Sequence, residues 1–171
     1  QKAANGVWEI TIEHNIKNQY YTFKILISGA WSAELIDPYA KACGTNGVRA
    51  QVIDLKETNP IGWEQDQSPK FSKENKQTDA VIYELHIRDA SIHANSGIQQ
   101  KGKYLGLTQL GTKNSSGNST GLSHIKELGV THIHLLPFYD YNSVDETKSN
   151  QYNWGYDPVN YNIPEGSYST N

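Results

Sequence analysis

Two segments of this chain, residues 80–87 (AVIYELHI) and 130–137 (VTHIHLLP), are apolar almost throughout, without the alternation of a half-exposed strand. Strands written this way need cover on both faces, and parallel sheets receive it from crossover helices. Between them lie a polar, glycine-containing stretch over residues 89–118 and then a short helical pattern. In that pattern Leu122, Ile125 and Leu128 recur at three-residue spacing, Ser119 or Thr120 offers an N-cap, and Gly129 offers the stop. Strand, helix-bearing crossover and strand make a βαβ unit, so the two strands are predicted to lie parallel.

The first third follows a period of two instead. Residues 7–12 alternate, with Trp8, Ile10 and Ile12 on one face. Residues 20–27 set Tyr21, Phe23, Ile25 and Ile27 against Tyr20, Thr22 and Lys24, and Ser28-Gly29 marks a turn. Asp37-Pro38 is a further break, and residues 48–55 read as a third strand. Short strands with regular turn signals predict part of a small β-sandwich over residues 1–55. Residues 56–78 carry Asn59-Pro60, Gly62, Ser68-Pro69 and a Lys/Glu/Asn/Gln-rich run, the composition of a linker. Residues 79–171 then form the α/β part.

With 15 basic and 18 acidic residues, a net charge of −3 gives no electrostatic case for nucleic acid or an anionic membrane surface. No apolar run approaches a membrane span. The single Cys43 excludes an internal disulfide. The chain has no Met and begins Gln1-Lys2, which predicts a piece of something longer and leaves secreted and cytoplasmic locations equally open.

Residues 152–158 (YNWGYDP) place three aromatics, an amide and a carboxylate around one glycine, closed by a proline. Aromatic faces stack on the C–H face of a sugar, while Asn and Asp take hydroxyls in directed hydrogen bonds. The same composition also suits a buried aromatic turn. What separates the two readings is a resemblance. Residues 152–158 resemble the signature of type I pullulanases, debranching members of the α-amylase superfamily (glycoside hydrolase family 13), and residues 164–170 (PEGSYST) continue the likeness. Residues 81–89 (VIYELHIRD) are similar to the first barrel strand of pullulanases, and residues 129–137 (GVTHIHLLP) to the second strand of the superfamily. Asp37-Pro38-Tyr39-Ala40, followed by residues 52–55, resembles the end of the carbohydrate-binding module that precedes the barrel.

The resemblance implies a fold of two parts: a β-sandwich remnant, carbohydrate-binding-module-like, then the first βα units of a (β/α)₈ TIM barrel. A complete barrel needs about 250 residues, so the barrel is expected to be incomplete in this chain and its open strand edges to be an aggregation liability. The implied chemistry is retaining hydrolysis of α-1,6 branch linkages in pullulan, amylopectin or limit dextrins. Its nucleophile Asp and acid/base Glu belong to later strands, so no catalytic residue is assigned here and the chain alone is expected to be inactive. The implied substrate-binding residues are Tyr156 as stacking platform, Asp157 as sugar-orienting or loop-holding group, and Trp154 and Asn153 as pocket wall. The implied partners are an α-glucan and the remainder of the same enzyme.

Glu84 and His86, with His132 and His134, share strand faces at a spacing that could offer zinc ligands. Hydrogen-bonded barrel-interior groups are the preferred reading, so no metal site and no cofactor are assigned; a structural calcium stays open, with nothing in the sequence to indicate one. Trp8 reads as core, while Trp31, after the Ser28-Gly29 turn, is the better exposed glucan-stacking candidate beside Trp63. Asn114 and Asn118 begin N-x-Ser/Thr strings read as polar loop. Two alternatives to the hydrolase reading stand: a non-catalytic starch- or glycogen-binding fragment, and another α-1,6-acting or branching member of the superfamily.

Overall fold

A computed structural model describes residues 2, 4–69 and 76–170 of the chain. The parallel pair predicted from the apolar runs is present: β5 (Ile82–Leu85) runs alongside β6 (His132–Leu135), with Glu84 opposite His134 and Leu85 opposite Leu135. The crossover ends in α1 (Gly121–Glu127), whose Ile125 is buried and which stops before Gly129 at φ +76°. Thr120 holds the N-cap position, but its hydroxyl goes to the Ser96 carbonyl and the Thr112 hydroxyl rather than to the helix. Cover on both faces of the pair is not supplied. Val81, Ile82 and Ile133 are exposed, and β5 and β6 form a two-stranded sheet by themselves among the described residues.

The N-terminal part departs further from its alternation. Residues 7–12 form no strand, only a bridge between Lys2 and Trp8, and Trp8 is 76% exposed, with Ile10 exposed beside it. The expectation that Trp8 packs in a core is therefore corrected: its face only borders an open cavity, which Ile10 and Ile12 line with Tyr21 and Phe23. The predicted strand at 20–27 is broken in two: β1 (Tyr20–Tyr21) pairs with β4 (Ala50–Gln51), and β2 (Leu26–Ile27) pairs with β3 (Ala30–Trp31). The Ser28-Gly29 turn does close the second pair, both residues at positive φ as a two-residue hairpin requires. Of the third predicted strand only β4 forms, and residues 55–58 coil into a 3-10 turn capped by Asp54. Two further 3-10 turns, Trp63–Gln65 and Gln77–Asp79, occupy the predicted linker; part of its charged run lies outside the described residues.

A hairpin that the sequence reading left as loop organises the rest. β7 (Tyr139–Tyr141) pairs antiparallel with β8 (Pro158–Pro164), with register shifts on both sides of Asp140. One core cluster, Ile87, Tyr141, Val144 and Tyr168, lies between the end of β5 and this hairpin. A second cluster, Ala40, Ala50 and Ile163, docks the N-terminal part onto β8. The docking is stitched by polar pairs: Lys41 Nζ donates to Asn162 Oδ1 (3.0 Å), and Asn46 and Glu146 exchange backbone-to-side-chain bonds of 2.8 and 2.9 Å. The two parts are thus packed together, not merely tethered.

Candidate glucan-binding loop

The loop of residues 152–157 is built from its own polar side chains. Asn153 Oδ1 accepts the Gly155 N–H at 2.7 Å, an Asx turn that reverses the chain. Gly155 sits at φ +89° with its Cα against the Pro137 carbonyl, where any Cβ would collide. Asn153 Nδ2 donates to Asp157 Oδ1 at 2.7 Å, and Ser143 Oγ donates to the other carboxylate oxygen. These bonds to the charged form, that from Ser143 first, hold the Asp157 carboxyl below its ordinary range, so it is ionised at neutral pH. The turn throws two aromatic rings outward: Trp154 is 63% and Tyr156 66% exposed.

Both rings line a cavity of about 580 Å³, together with Tyr152, Tyr83, Glu84 and His86. Tyr152 leans on the His86 ring at 5.0 Å, and the Arg88 guanidinium lies over the Tyr152 ring, 5.6 Å from its centroid. Of the four residues assigned from sequence, Trp154 and Tyr156 face the cavity. Asn153 and Asp157 do not line it; they are engaged in holding the turn. The sequence reading missed Tyr152 and Tyr83 as lining residues. The aromatic content of both segments was the available signal.

The four-residue histidine and glutamate group separates. Glu84 and His134 meet at 3.0 Å, as the expectation of mutual bonding had it, and both are more than half exposed on this two-stranded sheet. His86 is buried and turned toward Asn153, and His132 bonds to its neighbour Thr131. A different cluster could hold a cation among the described residues: ligand oxygens of Asp140, Glu146 and Glu165 lie within 4.8 Å of one another. Asp140 is 3% and Glu165 1% exposed. Burial raises the pKa of both carboxyls, against the Asn160 amide bonded to Asp140 and the Ser167 and Tyr141 N–H groups bonded to Glu165. Glu146 Oε1 has no hydrogen-bond partner among the described residues. Asp140 and Glu165 are buried and Glu146 partly so, and the rings of Trp154 and Tyr156 line a different cavity.

No protein-family model matches the chain. It is 44% identical over 170 residues to a pullulanase of Bacillus subtilis, an alignment covering 97% of this chain and 22% of that protein. The crystal structure of apo pullulanase from Paenibacillus barengoltzii superposes with a TM-score of 0.93 at 52% identity, over 99% of this chain and 26% of that one. A mutant of the same pullulanase, complexed with maltotriose, gives the same TM-score and identity. The chain therefore spans about a quarter or less of the length of these relatives.

Proposed function

This chain is homologous to a segment of the pullulanases, and on that premise we propose that it forms the sugar-stacking part of an α-glucan site. The site would belong to a retaining glycoside hydrolase acting on α-1,6 branch linkages. The observation that carries the reading is the loop itself. In a homologue of these enzymes, a turn fixed by Asn153, Gly155 and Asp157 presents Trp154 and Tyr156, both largely exposed, to one cavity. Exposed aromatic rings on a rigid turn cost solvation unless a ligand covers them, and a sugar ring offers the flat apolar face they need.

In this reading Tyr156 is the platform beneath the sugar and Trp154 the wall, while Asn153 and Asp157 act by holding the turn. The parallel pair β5/β6 is the opening of a (β/α)₈ barrel, and residues 1–55 are the remnant of a glucan-binding-type sandwich. Hydrolysis would need an Asp to attack the anomeric carbon and a Glu to protonate the leaving oxygen, water then resolving the glycosyl-enzyme. Both would lie in the portion of the relatives that this chain does not match.

Titration of the chain with maltotriose, followed by calorimetry, tests the proposal. Tyr156→Ala should weaken binding by about tenfold, the size of one lost stacking contact. Unchanged affinity would overturn the assignment. A parallel pullulan assay at the chain's own mass of 19.2 kDa should release no reducing ends, and release would overturn the placement of the catalytic carboxylates. A second reading, glucan binding without cleavage, draws on the exposure of Trp31 (67%) and of Trp8 and Trp63. It predicts that Trp31→Ala weakens starch binding more than Tyr156→Ala does.

A further inference from the structure

We infer that His86 is the positioning residue of the aromatic loop, holding it through a neutral imidazole whose proton sits on Nε2. What the loop binds rests on the glucan reading above; the geometry that fixes the histidine does not. His86 is the residue after β5 and is buried. Its Nε2 lies 2.8 Å from the Asn153 carbonyl oxygen and 3.0 Å from the Tyr168 hydroxyl. Its Nδ1 faces the backbone N–H of Asp89 at 3.3 Å. An amide N–H can only donate and a carbonyl oxygen can only accept. The Asp89 carboxylate stands farther off, 4.0 Å from Nδ1 and beyond hydrogen-bond reach, so the nearer N–H sets Nδ1 as acceptor and the geometry puts the proton on Nε2. The opposite tautomer would bury two like-with-like pairs at once, each leaving a polar group unsatisfied.

The ring has little freedom to escape this arrangement. Tyr152 packs on it at 5.0 Å and Tyr168 meets it edge-on at 5.8 Å. The Tyr168 hydroxyl is in turn bonded to that of Tyr141 at 3.0 Å, which ties the histidine to the hairpin core. The residue that His86 grips is the one whose side chain closes the loop, through Gly155 on one side and Asp157 on the other. A chain of direct bonds thus runs from the end of β5 to the turn carrying Trp154 and Tyr156. Without the Nε2–H the Asn153 carbonyl is orphaned, and the two rings lose their fixed height over the cavity.

The test begins with the unaltered chain. A long-range ¹⁵N–¹H spectrum should show His86 neutral and protonated on Nε2, with a coupling across the hydrogen bond to the Asn153 carbonyl. A proton on Nδ1 overturns the inference. Maltotriose titration should then show His86→Phe, which keeps the ring packing but not the N–H, weakened about tenfold. His86→Gln, whose amide N–H reaches the place of Nε2, should restore affinity to within about threefold of the parent. A merely structural histidine would not be rescued in binding by Gln. Tyr156→Ala runs alongside. If it weakens binding and His86→Phe does not, the positioning role fails alone. If neither does, the glucan reading fails, and the tautomer spectrum still decides the histidine. If the Phe variant does not fold, the spectrum and the Gln variant decide.

Discussion

Two carboxylate neighbourhoods hang from the same hairpin, β7 and β8, and they are opposite in character. Asp157 stands at the surface just before β8, bonded by the Ser143 hydroxyl and the Asn153 amide, and its pKa is lowered. Asp140 lies inside, also bonded by an amide, that of Asn160, yet its pKa is raised. An amide partner is common to both, so hydrogen bonding to an amide does not decide the sign. Burial does, with Glu146 adding repulsion at Asp140. The loop acid is stabilised where it stands, while the cluster acids are held in place by the fold against their own desolvation and mutual repulsion. The first arrangement suits a turn that must present rings to solvent without moving. The second is a reservoir of unfavourable charge under the N-terminal docking surface.

The largest effect should come from one glycine in each neighbourhood. A Cβ on Gly155 would run into the Pro137 backbone carbonyl, at a φ of +89° that disfavours any other residue. Gly155→Ala should therefore cost about 3 kcal/mol in thermal or denaturant unfolding and should abolish maltotriose binding. Gly47, at φ +63°, meets the Asp140 carboxylate and the Asn160 amide, which are side chains and can give way. Gly47→Ala should cost about 1–2 kcal/mol and leave binding intact. Equal costs would break the contrast between a rigid obstacle and a yielding one.

Asp157→Asn sharpens the comparison from the surface side. A lowered carboxyl contributes stability that is present above its unfolded value of about 3.9 and is lost as pH falls through the lower folded value. Parent and variant should therefore differ at pH 5–7 and converge in acid, below about pH 4. Solvent screening at this partly exposed site limits the difference to within about 1 kcal/mol. A gap that persists unchanged in acid would show that the bonds act without the charge.

What the sequence could reveal divides along similar lines. The parallel pairing of β5 with β6, the helix around Ile125 and its stop at Gly129 were legible because each is written in a local period or a capping residue. The aromatic loop was legible as a composition and a resemblance, although the inward role of Asn153 and Asp157 was not. Alternation at Trp8 and Ile10 says which side chains share a face, but not how closely that face is covered, and here both stay largely exposed. The Asp140, Glu146 and Glu165 cluster leaves no trace in spacing, because shifts in the β7–β8 register assemble it across 25 residues. His86 was grouped with Glu84 by the strand period of two. β5 ends at Leu85, and the turn beyond it aims the ring at Asn153 instead.

The smallest expected effect is also the one of opposite sign. Asp140→Asn keeps an oxygen to accept from Asn160 Nδ2 and replaces a buried charge with an amide. That amide can donate into the cluster, where Glu146 Oε1 lacks a partner among the described residues. A carboxyl with a raised folded pKa favours the native state below its unfolded value, and that contribution is lost as pH rises through the folded one. Ionised Asp140 is thus a burden at neutral pH, and the variant should be more stable than the parent by about 0.5–1 kcal/mol at pH 7. The gain should shrink as pH falls through the raised folded value, where the native carboxyl takes up its proton and amide and acid become near equivalents. Paired urea denaturation curves at pH 4, 5.5 and 7 measure this directly. A variant less stable than the parent at pH 7 would mean that the Asp140 charge has a favourable partner in solution, and the contrast between the two neighbourhoods would then have to be redrawn around it.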